Sequence, residues 1–273
     1  VAMLVIGPYL YSRKRVPKPG VPDRKIWLLL IVAALGLCGN YVLFALSLNY
    51  LNAESTEVVV QLTTLFLLLG GVLIFREPFV LLQKLGALLI VVGLALFFND
   101  RLAELFSASS QVNFGILLVV VSALSWVVYA LLQKHLLRYF SSVQILLVVY
   151  VTSTLLLTPL ASPGSIVELS GLQLGLLAFC CLNTILAYGS FAEALVHWHA
   201  SKVGAVLALA PLFTILALKV IVLFNPAYAY TDHLNLLSVI AAVVLVIGSM
   251  TVALVPLLST SRPHHRQVIR PGQ

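Results

Sequence analysis

The side chains able to do chemistry in this chain are hydrogen-bonding and aromatic groups set inside long apolar stretches. Ser122, Trp126, Tyr129 and Gln133 fall at i, i+4, i+7 and i+11, one face of a helix. Glu57, Gln61 and Thr64 share a face at i, i+4 and i+7. Asn40 with Tyr41, and Asn183 and Thr184 with Tyr188, form two further groups. Groups of this kind hold and release a small molecule without making or breaking its bonds. The candidates for a substrate cavity are therefore Asn40, Tyr41, Gln61, Thr64, Ser122, Trp126, Tyr129, Asn183, Thr184 and Tyr188. Each has a structural alternative. Ser122 and Thr64 suit hydrogen bonds between helices, because lipid favours polar groups turned inward. Trp126 and Tyr129 also suit an aromatic belt at a membrane surface. Gln61 and Asn183 lie deeper, where a cavity wall and a structural bond are equally good readings.

Two charges and one proline fall inside apolar runs. Glu193 stands one turn before His197, so it either pairs with that histidine or serves as a carboxylate coupling proton movement to a substrate. Lys219 is near the end of its run, where it snorkels to the surface or meets substrate. Pro211 removes one backbone bond and is either a hinge or a packing kink. Covalent catalysis finds no footing: the sequence has no GxSxG, no HExxH and no phosphate-binding glycine loop. Neither an enzyme nor a cofactor is expected. Cys38, Cys180 and Cys181 lie in apolar runs without metal spacing and are expected to be buried, inert thiols. The adjacent His264 and His265 do not make a metal site.

The elements that must carry these groups follow from composition. Of 273 residues, 61% are hydrophobic and 9% charged, with mean hydropathy +1.09. A soluble domain carries about 25% charged residues, so a soluble enzyme, a nucleic-acid binder and a disordered chain are excluded. Membrane helices need about 20 mostly apolar residues. Nine spans are predicted: A 1–11, B 26–48, C 57–75, D 79–98, E 114–132, F 143–160, G 172–196, H 203–224 and I 234–256. Continuous apolarity, rather than alternation, makes them helices and not barrel strands.

Basic residues set the orientation. Fourteen of the 16 Lys and Arg fall in alternate connections: 12–25, the C–D turn with the start of D, the E–F and G–H loops, and the tail. The excess marks the cytoplasmic side and puts the C-terminus there. The cluster at Arg13, Lys14, Arg15, Lys18, Arg24 and Lys25 also suits anionic lipid. Span A has about half the needed length, and residue 1 is Val, so the chain is expected to lack the start of this span.

An internal repeat runs without a gap at an offset of 147. It aligns NYVLFALSLNYLNAESTEVVVQLTTLF, from Asn40, with AYGSFAEALVHWHASKVGAVLALAPLF, from Ala187. Tyr41 meets Tyr188, Phe44 meets Phe191 and Leu65 meets Leu212. The two copies have opposite orientation, a pattern of transporters whose halves rock about a central site.

The segment FREPFVLLQKLGALLIVVGLALFF, from Phe75, resembles the signature of the EamA-type drug/metabolite transporters: Glu77 at a tight cytoplasmic turn, then Gly86 and Gly93. The stretches from Phe114 and Ala200 resemble the family's first helix of the second repeat and its Pro-containing helix. The resemblance implies ten helices as two inverted sets of five, with spans A to I matching the second to the tenth. The second repeat departs from it, having Asn225 near the place of the turn Glu, and Thr64 stands where the second repeat has Pro211. The expected organisation is an incomplete first repeat at 1–98, an external loop at 99–113, a second repeat at 114–256 and a cytoplasmic tail at 257–273. The expected protein is a multi-pass inner-membrane transporter of a small metabolite, amino acid or drug-like compound, working by alternating access. The resemblance implies export, and Glu193 offers a proton-coupling group. Lipid and a small-molecule substrate are the expected partners, and nucleic acid is not. The rivals are a membrane scaffold or sensor that moves nothing, and a lipid-linked carrier flippase.

Overall fold

The computed structural model describes residues 3–4, 7–8, 11, 23–75, 79–99, 111–197, 206–226 and 234–260. Among these residues the regular structure is helical, without a strand. The helices are α1 (Arg24–Ser47), α2 (Ala53–Val60), α3 (Leu62–Phe75), α4 (Leu81–Phe97), α5 (Gln111–Leu136), α6 (Ser142–Leu157), α7 (Gly171–His197), α8 (Ala210–Phe224) and α9 (Leu236–Thr260). Two 3-10 segments, Thr158–Leu160 and Pro163–Glu168, lie between α6 and α7. Among the described residues five stretches are long and apolar enough to cross a membrane: Arg24–Ser47, Ala53–Ile74, Gln111–Leu136, Gly171–Phe191 and Leu236–Leu254. Leu81–Phe97, Ser142–Leu157 and Ala210–Phe224 are shorter apolar helices. Large apolar side chains cover the outside, with Leu73 77% and Phe224 84% exposed. A surface of this kind belongs in lipid, since soluble proteins rarely expose extended apolar patches.

The predicted spans B, D, F, G and I correspond to α1, α4, α6, α7 and α9 within a few residues at each end. Span E is longer than its apolar run, because α5 extends through Lys134 and His135. Span C starts earlier than predicted and is broken: α2 ends at Val60 and α3 begins at Leu62. At the break the Gln61 N–H donates to Val58 O at 3.2 Å, and the Thr63 hydroxyl donates to Val60 O at 2.6 Å. A side-chain hydroxyl thus takes up a carbonyl at the interruption. Span H is also interrupted, by a turn at Ala208–Leu209 before α8. Pro211 then sits in the first turn of α8, where its missing N–H is harmless. Under the repeat's offset, Gln61 aligns with Ala208.

Glycines set the two closest packings. α1 runs antiparallel to α5; a Cβ on Gly36 would stand 2.9 Å from the Ser125 carbonyl oxygen. α4 runs antiparallel to α9; a Cβ on Gly248 would stand 2.7 Å from the Gly86 carbonyl oxygen. Small residues let helix backbones approach where lipid supplies no hydrophobic drive. The α4–α9 pair is tied at one end by amides. Asn235 Nδ2 donates to Asn99 Oδ1 at 2.9 Å, and the Ser238 hydroxyl donates to Phe97 O at 2.9 Å.

Among the described residues two large apolar cores result, beside a small cluster of Leu146 and Tyr150. One joins Val58, Ile90, Val119, Ile215 and Leu245, from α2, α4, α5, α8 and α9. The other joins Leu30, Leu37, Tyr129, Leu136 and Ile145, from α1, α5 and α6. Since α5 enters both, it is the central helix. Arg24, Lys25, Lys134 and Arg138 gather where α1 begins and α5 ends, called the basic end below.

Candidate functional site

The site lies between α6 and α7, toward the end of the bundle opposite the basic end. Both helices begin with a Ser-x-x-Gln box. Ser141 N–H donates to Gln144 Oε1 at 2.9 Å and Ser170 N–H donates to Gln173 Oε1 at 2.8 Å. Each serine oxygen accepts from the glutamine N–H at 3.4 Å. These boxes satisfy donors that a helix start otherwise leaves open, and so fix where each wall begins. The walls border an open cavity of about 350 Å³ lined by Met3, Tyr150, Ser153, Thr154, Leu157, Thr158, Ala161, Cys181 and Thr184.

The threonines of the walls are one-sided in their polar chemistry. Thr154 donates its hydroxyl proton to Tyr150 O at 2.7 Å, Thr158 to Thr154 O at 2.6 Å and Thr184 to Cys180 O at 2.9 Å. With their protons used on the backbone, these hydroxyls present only acceptor lone pairs to the cavity. Such walls suit the N–H and O–H groups of a bound solute.

Tyr150 carries the cavity wall toward a group of tyrosines. The Tyr150 hydroxyl donates to Thr184 O at 3.4 Å. Tyr188 is one turn further along α7, and its ring lies 5.5 Å from that of Tyr41 at an angle of 45°. Tyr41, Tyr129, Tyr150 and Tyr188, from α1, α5, α6 and α7, lie within mutual electrostatic range. Beside them Trp126 and Phe191 stand 6.1 Å apart. The charged residues of these four helices, Arg24, Lys25, Lys134 and Glu193, are all near helix ends. The tyrosine junction is therefore polar and uncharged.

The structure thus brings together Tyr41, Tyr129, Thr184 and Tyr188 and adds Tyr150. Asn40 and Ser122 sit beside the junction and are bonded to each other: Asn40 Nδ2 donates to Ser122 Oγ at 2.8 Å. Gln61 is buried at the α2–α3 break, and Thr64 is half-buried in α3; neither lines the cavity. Asn183 is exposed and also lies off the cavity wall. Glu193 is exposed and Pro211 is buried. Glu77, the side chain of His197 and the tail histidines lie outside the described residues. Of the thiols expected to be buried, only Cys38 is; Cys180 is exposed, and Cys181 lies half-buried on the cavity wall. Burial fails for this pair because α7 keeps open faces along much of its length. Among the described residues no cluster of three metal-ligating side chains occurs.

Residues 1–99 and 113–254 match the model of the EamA-like transporter family. The chain belongs to the EamA-like transporter family. An uncharacterized transporter of Haemophilus influenzae is 39% identical over 254 residues, covering 93% of this chain and 82% of that protein. The uncharacterized inner membrane transporter YhbE of Escherichia coli K12 is 39% identical over 251 residues, covering 92% of this chain and 78% of that protein. The chain is accordingly a multi-pass inner-membrane protein of helical fold, and a transporter by family.

Sequence reading missed one group in this EamA-like transporter: Tyr150, Thr154 and Thr158, at i, i+4 and i+8 in span F, with Ser153 beside them. The stripe was present as polar residues at helical spacing in an otherwise apolar run.

Proposed function

We propose that this EamA-like protein is a secondary transporter working by alternating access, and that the cavity between α6 and α7, with Tyr150 on its wall, is the substrate site. One observation carries the reading: a cavity of about 350 Å³ is lined by Tyr150 and by hydroxyls of α6 and α7, with Tyr188 one turn beyond its wall residue Thr184. The basic end is taken as cytoplasmic under the positive-inside rule, with the C-terminus there. The cavity then opens outward, with the tyrosine junction on its cytoplasmic side. The alignment at offset 147 and the paired interruptions at Gln61 and Ala208 support two inverted repeats about this site. Export follows the family's implication.

The site's chemistry narrows the substrate. A net charge buried among uncharged tyrosines would lack a counter-ion on these helices, which is costly in a membrane interior. Acceptor-rich walls beside aromatic rings favour a small neutral or zwitterionic solute with N–H or O–H groups. Glu193 remains the candidate for proton coupling; its exposure near the basic end lets it meet water.

A flippase for a lipid-linked carrier is the second reading, favoured by the open faces of α7. Flux assays in reconstituted vesicles separate these. The purified protein should move neutral or zwitterionic solutes in preference to anions, and Tyr150→Phe and Thr154→Val should weaken apparent affinity by about tenfold, equal to about 1.4 kcal/mol. Movement of a lipid-linked carrier alone would favour the flippase, and movement of neither would favour a scaffold.

A further inference from the structure

We propose that Tyr129 and Gln133 line the closed half of the transport path, and that α1 swings away from α5 about the Asn40–Ser122 contact to open it. This rests on the transport reading above.

The α1–α5 interface is polar in two unlike ways. At one level its polar groups are satisfied. Asn40 Nδ2 donates to Ser122 Oγ at 2.8 Å and to Ser122 O at 3.1 Å, and the Ser122 hydroxyl donates to Asn40 O at 3.1 Å. One turn away, Gly36 packs against the backbone of α5 at Ser125 and Tyr129, so the opening begins at the edge of this contact, on the side of Gln133. Hydrogen bonds and backbone contact together make this the fixed point of the pair.

Toward the basic end the same interface holds groups with nothing to bond. Tyr129 is fully buried, and its hydroxyl has no hydrogen-bond partner among the described residues. Gln133 is 1% exposed, and neither its amide nitrogen nor its amide oxygen has one. The indole N–H of Trp27, near the start of α1, is buried in the same condition. Buried polar groups are nearly always paired, and a cluster of exceptions calls for a reason. Packing gives none, since apolar side chains of similar shape would fill the interface without that penalty. The reason is a second state in which these groups meet water or solute. Tyr129 and Gln133 are one turn apart on one face of α5, and Tyr129 belongs to the tyrosine junction. Tyr150 of the same junction lines the outer cavity, so this face of α5 lies between that cavity and the basic end. Separation of α1 from α5 there breaks apolar contacts at Leu30 and Ala33, whereas separation at Asn40 breaks several hydrogen bonds.

Thiol labelling tests this without knowledge of the substrate. Cys38, Cys180 and Cys181 are replaced by Ala, and Gln133→Cys is compared in inverted vesicles with Ala241→Cys, a fully buried position in the other core. A charged, impermeant methanethiosulfonate applied at the cytoplasmic face should modify Gln133→Cys at least about tenfold faster, through a minor open state. Tyr129→Phe should melt no lower than the parent, because the hydroxyl it removes is unpaired. Gln133→Cys reacting no faster than Ala241→Cys, or Tyr129→Phe melting clearly lower, would overturn the proposal. The two readings fail separately. Flux with an inert Gln133→Cys keeps transport and removes this opening; a reactive Gln133→Cys without flux keeps the opening and removes transport.

Discussion

At the scale of single residues, what matters is which way a side chain faces, and periodicity gives that only within one helix. On the face of α5 carrying Ser122, Trp126, Tyr129 and Gln133, three residues are at most 1% exposed and Trp126 is half-buried. The Asn40–Ser122 pair predicts a stability effect: Asn40→Leu should cost about 0.6 kcal/mol per lost bond, with about 1.7 as the upper end of such bonds. Thermal melting in detergent checks it, and an unchanged melting temperature would contradict the pairing. Asn183 and Thr184 show the limit of legibility. They are neighbours, about 100° apart around a helix, and only Thr184 lines the cavity. The rotation of α7 against α6 comes from packing, which spacing within α7 does not encode. Asn183→Leu is therefore predicted to leave flux unchanged, while Thr184→Val reduces it. Equal loss of flux in both variants would place the cavity wall elsewhere on α7.

At the scale of elements, apolar run length located the spans, and the finer breaks depended on local chemistry. Span H announced its interruption through Pro211, whereas span C held neither Gly nor Pro at Gln61. Its interruption follows three consecutive valines and is stabilised by Thr63, a signal too common to read in advance. Helix contacts were less legible still, because they depend on where small residues meet across helices. Gly248→Ala should be destabilising by about 1–3 kcal/mol, since its Cβ would press on backbone rather than on a movable side chain. Gly175→Ala, with nothing within 4 Å of its Cβ, should instead be neutral or stabilising by up to about 1 kcal/mol through helix propensity. Melting curves of the two variants check both signs, and a loss of similar size in each would contradict the packing described for α4 and α9.

At the scale of the whole molecule, composition alone required a membrane protein, and the alternating basic connections supplied an orientation. That orientation predicts that a cysteine placed in the tail is shielded from an impermeant reagent outside intact cells, while one placed in 99–112 reacts. Reaction of the tail would reverse the bundle. The family was legible from the segment around Glu77, Gly86 and Gly93, and the match over 1–99 and 113–254 bears that out. The cavity between α6 and α7 was not legible, since its shape arises from two helices that the sequence describes only one at a time. Cys181 on its wall provides the most direct test of the central claim. Protein retaining Cys181 as its single thiol is sealed into vesicles, and solute flux is measured before and after an impermeant thiol reagent is added at the outer face. The account predicts that modification abolishes most of the flux and that the transported solute slows the modification. Complete modification of Cys181 with flux unchanged would contradict it.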